Sequence, residues 1–142
     1  MLRKLIPGVL VLLFTYTGSS KLFALETFKG ALYNQPFPHW LAAPLIFLIP
    51  AIEILTAICL LFERTSTIGL YSALSLLILF TLYIAAILLH VFSKTPCSCG
   101  GIFRGLSWLQ HLWVNLFFLA LTALQFFTRT KTTISSPSNS LL

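Results

Sequence analysis

Four long apolar stretches, separated by short polar joints, dominate this chain of 142 residues. They cover residues 5–25, 40–62, 68–92 and 106–128, and the first is the most polar. A bilayer core about 30 Å thick needs about 20 mainly apolar residues in helical form, because backbone groups in hydrocarbon must bond to one another. The pattern therefore predicts an all-α polytopic membrane protein, a four-transmembrane-helix up-and-down bundle.

The polar joints divide the chain into one helical domain and a tail. We expect a transmembrane domain over residues 1–128 and a disordered cytoplasmic tail over residues 129–142, which read "RTKTTISSPSNSLL". A cleaved signal peptide is the alternative interpretation of the first stretch, since Arg3 and Lys4 precede it. No clean small-x-small cleavage site follows, so we expect this helix to be retained.

Composition agrees with a membrane location. The chain is 58% hydrophobic and 8% charged, with a mean hydropathy of +0.95, which excludes a water-soluble domain of this size. The net charge of +6 does not indicate a nucleic-acid partner, because the basic residues are dispersed along the chain rather than clustered. We expect the lipid bilayer to be the main surroundings of the chain.

Basic residues at the ends of the stretches predict the orientation. The count favours one side, which carries Arg3, Lys4, Arg64, Arg129 and Lys131, over the other, which carries Lys29, Lys94 and Arg104. The positive-inside rule then places both termini in the cytoplasm and the third loop outside. We therefore predict a multi-pass protein of the bacterial inner membrane with residues 93–105 facing the periplasm.

Polar side chains recur at helical spacing within each stretch. The four sets are Thr17 and Lys21; Pro50, Glu53 and Thr56; Ser72, Ser75, Tyr83 and His90; and Trp108, His111, Asn115 and Thr122. Polar groups avoid lipid, so these sets should face the interior of the bundle.

Two of these residues, Lys21 and Glu53, carry charges at membrane depth. An isolated charge there costs several kcal/mol, roughly 3 to above 10. Pairing lowers that cost, and the rise of a helix places the two residues at compatible depths. We predict a structural ion pair; the alternative is that Glu53 relays a proton.

The loop "TPCSCGGIFRG" at residues 95–105 carries the reactive chemistry. A disulfide between Cys97 and Cys99 would close a very small, strained ring, and strained bonds are labile and suited to exchange. His90 and His111 flank the loop and are candidate proton carriers. The third cysteine, Cys59, is expected to be an inert buried thiol near the opposite end of the bundle.

Two other interpretations of this loop stay open. Cys97, Cys99, His90 and His111 form a possible N2S2 set for zinc or copper, although Cys-x-Cys is less usual than Cys-x-x-Cys at such sites and no second motif is present, so we assign no metal ligands. The cysteines could also be a purely structural pair. Redox chemistry remains the favoured interpretation.

Four motifs resemble the MauE/DoxX-like redox-associated membrane proteins, especially the methylamine-utilisation MauE type. The motifs are "GSSKLFAL" (18–25), "IPAIEI" (49–54), "CSCGG" (97–101) and "LSWLQHLWVNLFFLAL" (106–121). The resemblance implies a four-helix inner-membrane protein linked to maturation of the disulfide-rich methylamine dehydrogenase, while DoxX relatives are associated with thiosulfate and quinone redox systems.

The same resemblance marks particular positions. It carries over Lys21, Glu53, Cys97 and Cys99 as family-type residues, and His111 and Asn115 match a variant that carries "CSCGG". Many members read Cys-Gly-Cys-Phe-Gly, so Ser98 and Gly100 depart from that form. The departure keeps the cysteine pair, and we expect it to affect the local backbone and hence the reduction potential.

The combined hypothesis is a thiol–disulfide oxidoreductase. Cys97 and Cys99 would exchange disulfides with a periplasmic thiol or disulfide protein, and His90 or His111 would move the proton. A quinone, lodged among Tyr83, Trp108, Asn115 and neighbouring apolar residues, would accept the electrons. The alternatives are a non-enzymatic membrane anchor or assembly factor for a periplasmic redox protein, and a Cys/His metal-binding membrane protein.

Overall fold

The described part of the chain is helical throughout, apart from short connections. The computed structural model describes residues 2–36, 38–91 and 107–134. Its helices are α1 (Leu2–Phe23), α2 (Leu25–Tyr33), α3 (His39–Leu61), α4 (Ser66–Leu88) and α5 (Trp108–Ile134). The prediction of an all-α fold is confirmed.

Four of these helices are long and apolar enough to cross a membrane. The spans are Lys4–Phe23, His39–Leu61, Ser66–Leu88 and Trp108–Thr130. Large apolar side chains cover their outer faces; Leu12, Phe47 and Leu79 are each more than 60% exposed. Such exposure is costly in water and normal in lipid, so the chain is a multi-pass membrane protein in contact with the bilayer.

The four long helices pack in a ring. α1 lies against α3, α3 against α4, α4 against α5, and α5 closes the ring against α1. The centre is filled by an apolar cluster in which Leu10, Phe14 and Leu70 are at most 2% exposed. This is the predicted up-and-down arrangement.

Gly18 allows α1 and α3 to approach closely. A Cβ atom at this position would lie 2.8 Å from Ile54 Cγ1, which is closer than real Cβ contacts, and 3.2 Å from the Pro50 carbonyl oxygen, which is closer than most of them. Small residues permit such backbone approach between helices in membranes, where dispersion contacts drive association. The glycine therefore sets the spacing of the helix pair that carries Lys21 and Glu53.

The polar sets mostly face inward, as predicted. Glu53, Thr56 and Thr122 are at most 2% exposed, and the Thr56 and Ser72 hydroxyls form a 2.6 Å hydrogen bond between α3 and α4. The exceptions are His90, whose side chain is exposed, and Ser75. The Ser75 side chain is exposed and donates to the Tyr71 carbonyl oxygen of its own helix. A hydroxyl that bonds its own helix in this way needs no interior partner.

The helix boundaries differ from the predicted ones at three places. The predicted joint at residues 26–39 contains α2, a short helix that buries Phe28, Ala31 and Leu32. The third span ends at Leu88 rather than at residue 92. α5 begins at Trp108 rather than at 106 and continues to Ile134, so residues 129–134, expected in the tail, are helical.

The expectation for Cys59 needs a smaller correction. The thiol is free and lies on α3 near the α3–α4 connection, but the residue is only half-buried. Because it is a free thiol outside the loop, Cys59 serves as a reference cysteine for Cys97 and Cys99.

Candidate functional site

A cavity of about 420 Å³ lies inside the bundle and is bounded by all five helices. Its walls are mostly apolar, and a small number of polar side chains converge on it. The polar and aromatic members of the lining are Phe14, Thr17, Lys21, Phe28, Gln35, Glu53, Phe80, Tyr83, Trp108, His111 and Asn115. Cofactor and ligand sites have this character: apolar walls, a few placed polar groups and a volume of roughly 300 to 1,000 Å³.

One wall of the cavity is the ion pair between α1 and α3. The Lys21 ammonium donates to both carboxylate oxygens of Glu53, at 2.8 Å and 2.9 Å, and also to the Thr17 carbonyl oxygen at 3.4 Å. The Phe28 ring centroid lies 5.8 Å from the same nitrogen. With side-chain exposures of 14% for Lys21 and 2% for Glu53, the pair is held away from lipid and borders the cavity.

A second polar contact bounds the cavity at the end where α2 packs. The Tyr83 hydroxyl of α4 donates to Gln35 Oε1, and Gln35 Nε2 donates to the Ala31 carbonyl oxygen at 3.1 Å. Gln35 thus joins the end of α2 to α4. Phe28, Ala31 and Leu32 of α2 line the cavity, so this short helix forms part of its wall.

The start of α5 is fixed by a capping box. Ser107 Oγ accepts from the Gln110 amide at 3.3 Å, and Gln110 Oε1 accepts from the Ser107 amide at 2.8 Å. This reciprocal arrangement satisfies amide groups that the first helical turn leaves unpaired. It places Trp108, His111 and Asn115 on the face of α5 that lines the cavity, with the Trp108 and His111 rings 6.2 Å apart at 48°.

His90 lies outside this group. It adopts a left-handed backbone with φ of 53° at the end of α4. The His90 amide donates to the Ile87 carbonyl oxygen and the Val91 amide to that of Ala86, each at 3.1 Å, which is the Schellman arrangement of a helix C-terminus. The His90 side chain is exposed and does not line the cavity.

A comparison with protein families now bears on this arrangement. The family model described as "Methylamine utilisation protein MauE" matches residues 1–128. The chain belongs to the MauE family. No curated protein and no solved structure matches it. The resemblance inferred from the four motifs is therefore confirmed for the family.

Six of the sequence-predicted site residues of this MauE-family chain meet at one cavity. These are Lys21, Glu53, Tyr83, Trp108, His111 and Asn115. The predicted ion pair is present, and it borders the cavity as well as joining two helices. Cys97 and Cys99 lie outside the described residues.

Sequence reasoning missed Gln35 and Phe28, both contributed by the unpredicted helix α2 and its end. A signal for α2 exists in "ETFKGALY", where apolar residues recur every three to four positions. No local signal pairs Gln35 with Tyr83, because 48 residues separate them.

The described residues offer no ready metal site. Within residues 2–36, 38–91 and 107–134, no three His, Cys, Asp or Glu side chains are grouped as metal ligands. The N2S2 hypothesis also requires Cys97 and Cys99, which lie outside the described residues.

Proposed function

We propose that this MauE-family protein is a thiol–disulfide redox protein of the bacterial inner membrane, with both termini in the cytoplasm and the cysteine loop in the periplasm. A periplasmic partner in its dithiol form would transfer two electrons and two protons to the Cys97–Cys99 disulfide. The partner would leave as a disulfide, and Cys97 and Cys99 would become thiols. Each exchange breaks one S–S bond and forms another, so no outside oxidant enters this step.

The observation that carries the proposal is the position of the cavity relative to this loop. The segment that holds Cys97 and Cys99 joins α4 to α5. Tyr83 lies in the last two turns of α4, while Trp108 and His111 lie in the first turn of α5. All three side chains line the cavity. A reactive pair in the connecting segment is therefore tethered at the end of the bundle where the cavity has its aromatic and polar residues.

Regenerating the disulfide requires a two-electron acceptor, and the cavity residues suit a quinone. Apolar walls from Leu13, Ile49 and Ile84 suit its ring, while Trp108 offers an aromatic face. The Asn115 amide and the His111 ring can each donate to a carbonyl oxygen. Such a quinone would supply two-electron, two-proton redox chemistry when bound. His111 is the cavity residue best suited to pass protons between the loop and the interior.

Trapping of mixed disulfides tests the exchange reaction. Cys97→Ala or Cys99→Ala leaves a single loop thiol, which can attack the disulfide form of the partner in the reverse of the proposed exchange; without a second loop thiol, the resulting mixed disulfide cannot go on to form the loop disulfide. We expect one of the two variants to accumulate a covalent complex in cells that dissociates on reduction and that mass spectrometry identifies. Cys59→Ala keeps both loop cysteines and is the matched control; it should accumulate none.

A double variant distinguishes this function from that of a non-enzymatic anchor. If Cys97→Ser, Cys99→Ser fully complements a deletion strain, exchange is refuted and the anchor is favoured. Zinc or copper bound stoichiometrically to purified protein, and lost in that variant, would favour the metal alternative.

The proposed orientation has its own test. A membrane-impermeant thiol reagent added to intact cells should label the loop cysteines in a Cys59→Ala background. The same reagent should label Cys59, in a protein that lacks both loop cysteines, only after the membrane is opened. Labelling of Cys59 from outside would reverse the orientation.

A further inference from the structure

A second groove opens at the opposite end of the bundle, where α1 begins and α5 ends. Its volume is about 1310 Å³, and α1, α3, α4, α5 and the α3–α4 connection all contribute to its lining. None of its lining residues borders the cavity described above. Any ligand it takes is therefore independent of the redox proposal.

The polar part of this groove is built around Arg129. One guanidinium nitrogen, Nη2, donates to Ser66 Oγ at 2.8 Å, and the other, Nη1, donates to Thr67 Oγ1 at 3.1 Å. Ser66 is 7% exposed and donates its own proton to the Glu63 carbonyl oxygen at 2.9 Å. These bonds fix the plane of the guanidinium. An oriented guanidinium is the side chain best matched to phosphate oxygens.

Further groups at this end are suited to the same anion. The Thr67 hydroxyl is exposed; it accepts from Arg129 and keeps its own proton for another acceptor. Lys4 lies across the groove on α1. Glu63 also lines the groove, so by formal charge the lining carries two cations and one carboxylate, an excess of one positive charge among the described lining residues.

Apart from Thr130, the rest of the groove is lined by residues without polar side chains or by Tyr71. Val11, Leu12, Leu61, Tyr71 and Phe126 line it, and the Tyr71 and Phe126 rings pack 5.0 Å apart. Leu12, Leu61 and Tyr71 are each at least 60% exposed. From Lys4 to Val11 the helix advances roughly 10 Å, so the groove runs from the basic end of the spans toward the hydrocarbon depth of the membrane.

We propose that this groove binds an anionic phospholipid, with its phosphate against Arg129, Thr67 and Lys4 and an acyl chain along the apolar wall. Lys4 is the first residue of one span and Arg129 the last but one of another, so both lie where headgroups meet the hydrocarbon. The excess positive charge favours phosphatidylglycerol over phosphatidylcholine, whose ammonium cancels the phosphate charge.

Native mass spectrometry of the full chain in detergent tests this assignment. Phosphatidylglycerol adducts should exceed phosphatidylcholine adducts, and Arg129→Gln should weaken phosphatidylglycerol binding about tenfold, the expected loss for a charge-assisted contact. Arg64→Gln removes an exposed arginine that does not line the groove, and should leave binding unchanged. Equal adducts for the two lipids, or equal retention by Arg129→Gln, would refute the proposal.

Arg129→Gln also removes the hydrogen bonds from Arg129 to Ser66 and Thr67 of α4, and a protein that unfolds for this reason would lose the lipid as well. A second variant therefore blocks the groove sterically and keeps Arg129. Gly8 lines the groove, and a Cβ there would meet nothing within 4 Å, so Gly8→Leu places a side chain in the groove without removing a charge. Gly30 is equally open but lies on α2, and Gly30→Leu is the control. We expect only Gly8→Leu to lose the lipid. Equal binding by both, or displacement of the lipid by an equal concentration of inorganic phosphate, would contradict a lipid occupant.

Discussion

Lys21 and Glu53 form a bidentate ion pair, in which the lysine ammonium lies 2.8 Å and 2.9 Å from the two carboxylate oxygens. The two residues are 32 positions apart in the sequence. The pair joins α1 to α3 and also forms one wall of the cavity. Both effects have the same cause. A charge at membrane depth needs an oppositely charged or hydrogen-bonding partner, and such partners lie in the interior of the bundle rather than in the lipid. The result is a charged pair at a fixed position in a cavity whose walls are mostly apolar.

Breaking this pair from one side should destabilise the bundle strongly. Lys21→Met leaves the Glu53 carboxylate buried without its cation, and we expect a loss of about 3 to 5 kcal/mol in the free energy of unfolding. Denaturation in mixed micelles measures it. The double variant Lys21→Met, Glu53→Leu should recover most of the loss, because no uncompensated charge remains. Lys29→Met, an exposed site on α2, is the control and should have little effect. Equal losses in the single and double variants would contradict a charge-based explanation.

Gly18 should tolerate no side chain. In Gly18→Ala the new methyl group meets Ile54 Cγ1 and the Pro50 carbonyl, and backbone atoms cannot move aside as a flexible side chain can. We expect α1 to shift away from α3 and the free energy of unfolding to fall by about 1 to 3 kcal/mol. Gly30→Ala, where a Cβ meets nothing within 4 Å, should be neutral or slightly stabilising. The prediction fails if both variants unfold at the same denaturant concentration.

His90 occupies a backbone conformation that glycine adopts more easily. With φ at 53°, its Cβ is unfavourably placed, so His90→Gly should stabilise α4 by about 0.5 to 1 kcal/mol. His90→Ala keeps the Cβ and should not stabilise. Comparing the two by thermal unfolding isolates the backbone effect.

The same variants test the chemistry proposed for His90. If its imidazole carries the proton in thiol exchange, both variants lose exchange rate, including the more stable one. A stabilised His90→Gly protein with unchanged exchange would leave His90 a structural residue only and shift the proton role to His111.

The four spans could be predicted from the sequence because each depends on local apolar composition. The Lys21–Glu53 pair could also be predicted, since the cost of a lone buried charge restricts where a partner can lie. The start of α5 was predicted two residues too early, although "SWLQ" has the serine and glutamine spacing of a capping box that begins a helix at Trp108.

Other features depend on contacts that local sequence does not encode. Nothing near Gln35 indicates its bond to Tyr83, and the role of α2 in closing the cavity follows only from packing against α3. α4 was predicted too long because a histidine stands where a helix end usually shows glycine. The apolar composition continues past Leu88, where α4 ends, so the composition alone contains no signal for the end of the helix.

Filling the cavity should slow reoxidation of the loop thiols by quinone and leave thiol–disulfide exchange unchanged, which distinguishes the two halves of the proposed redox cycle. Val114 lines the cavity on α5, is half-buried and carries no polar group, so Val114→Phe reduces the space while keeping Lys21, Tyr83 and His111. We expect quinone-dependent reoxidation of the loop thiols to fall at least about tenfold, because the larger side chain occupies space in a cavity of about 420 Å³, near the lower end of the roughly 300 to 1,000 Å³ typical of ligand sites. Stopped-flow measurement with a soluble quinone analogue gives this rate. Exchange of the pre-oxidised protein with a small dithiol should be unchanged, because that reaction takes place in the loop.

Leu79 also borders the cavity but is 61% exposed toward lipid, so Leu79→Phe is the control and should retain most of the reoxidation rate. Unchanged reoxidation in Val114→Phe would remove the cavity from the electron path and leave the exchange reaction to be explained by another acceptor.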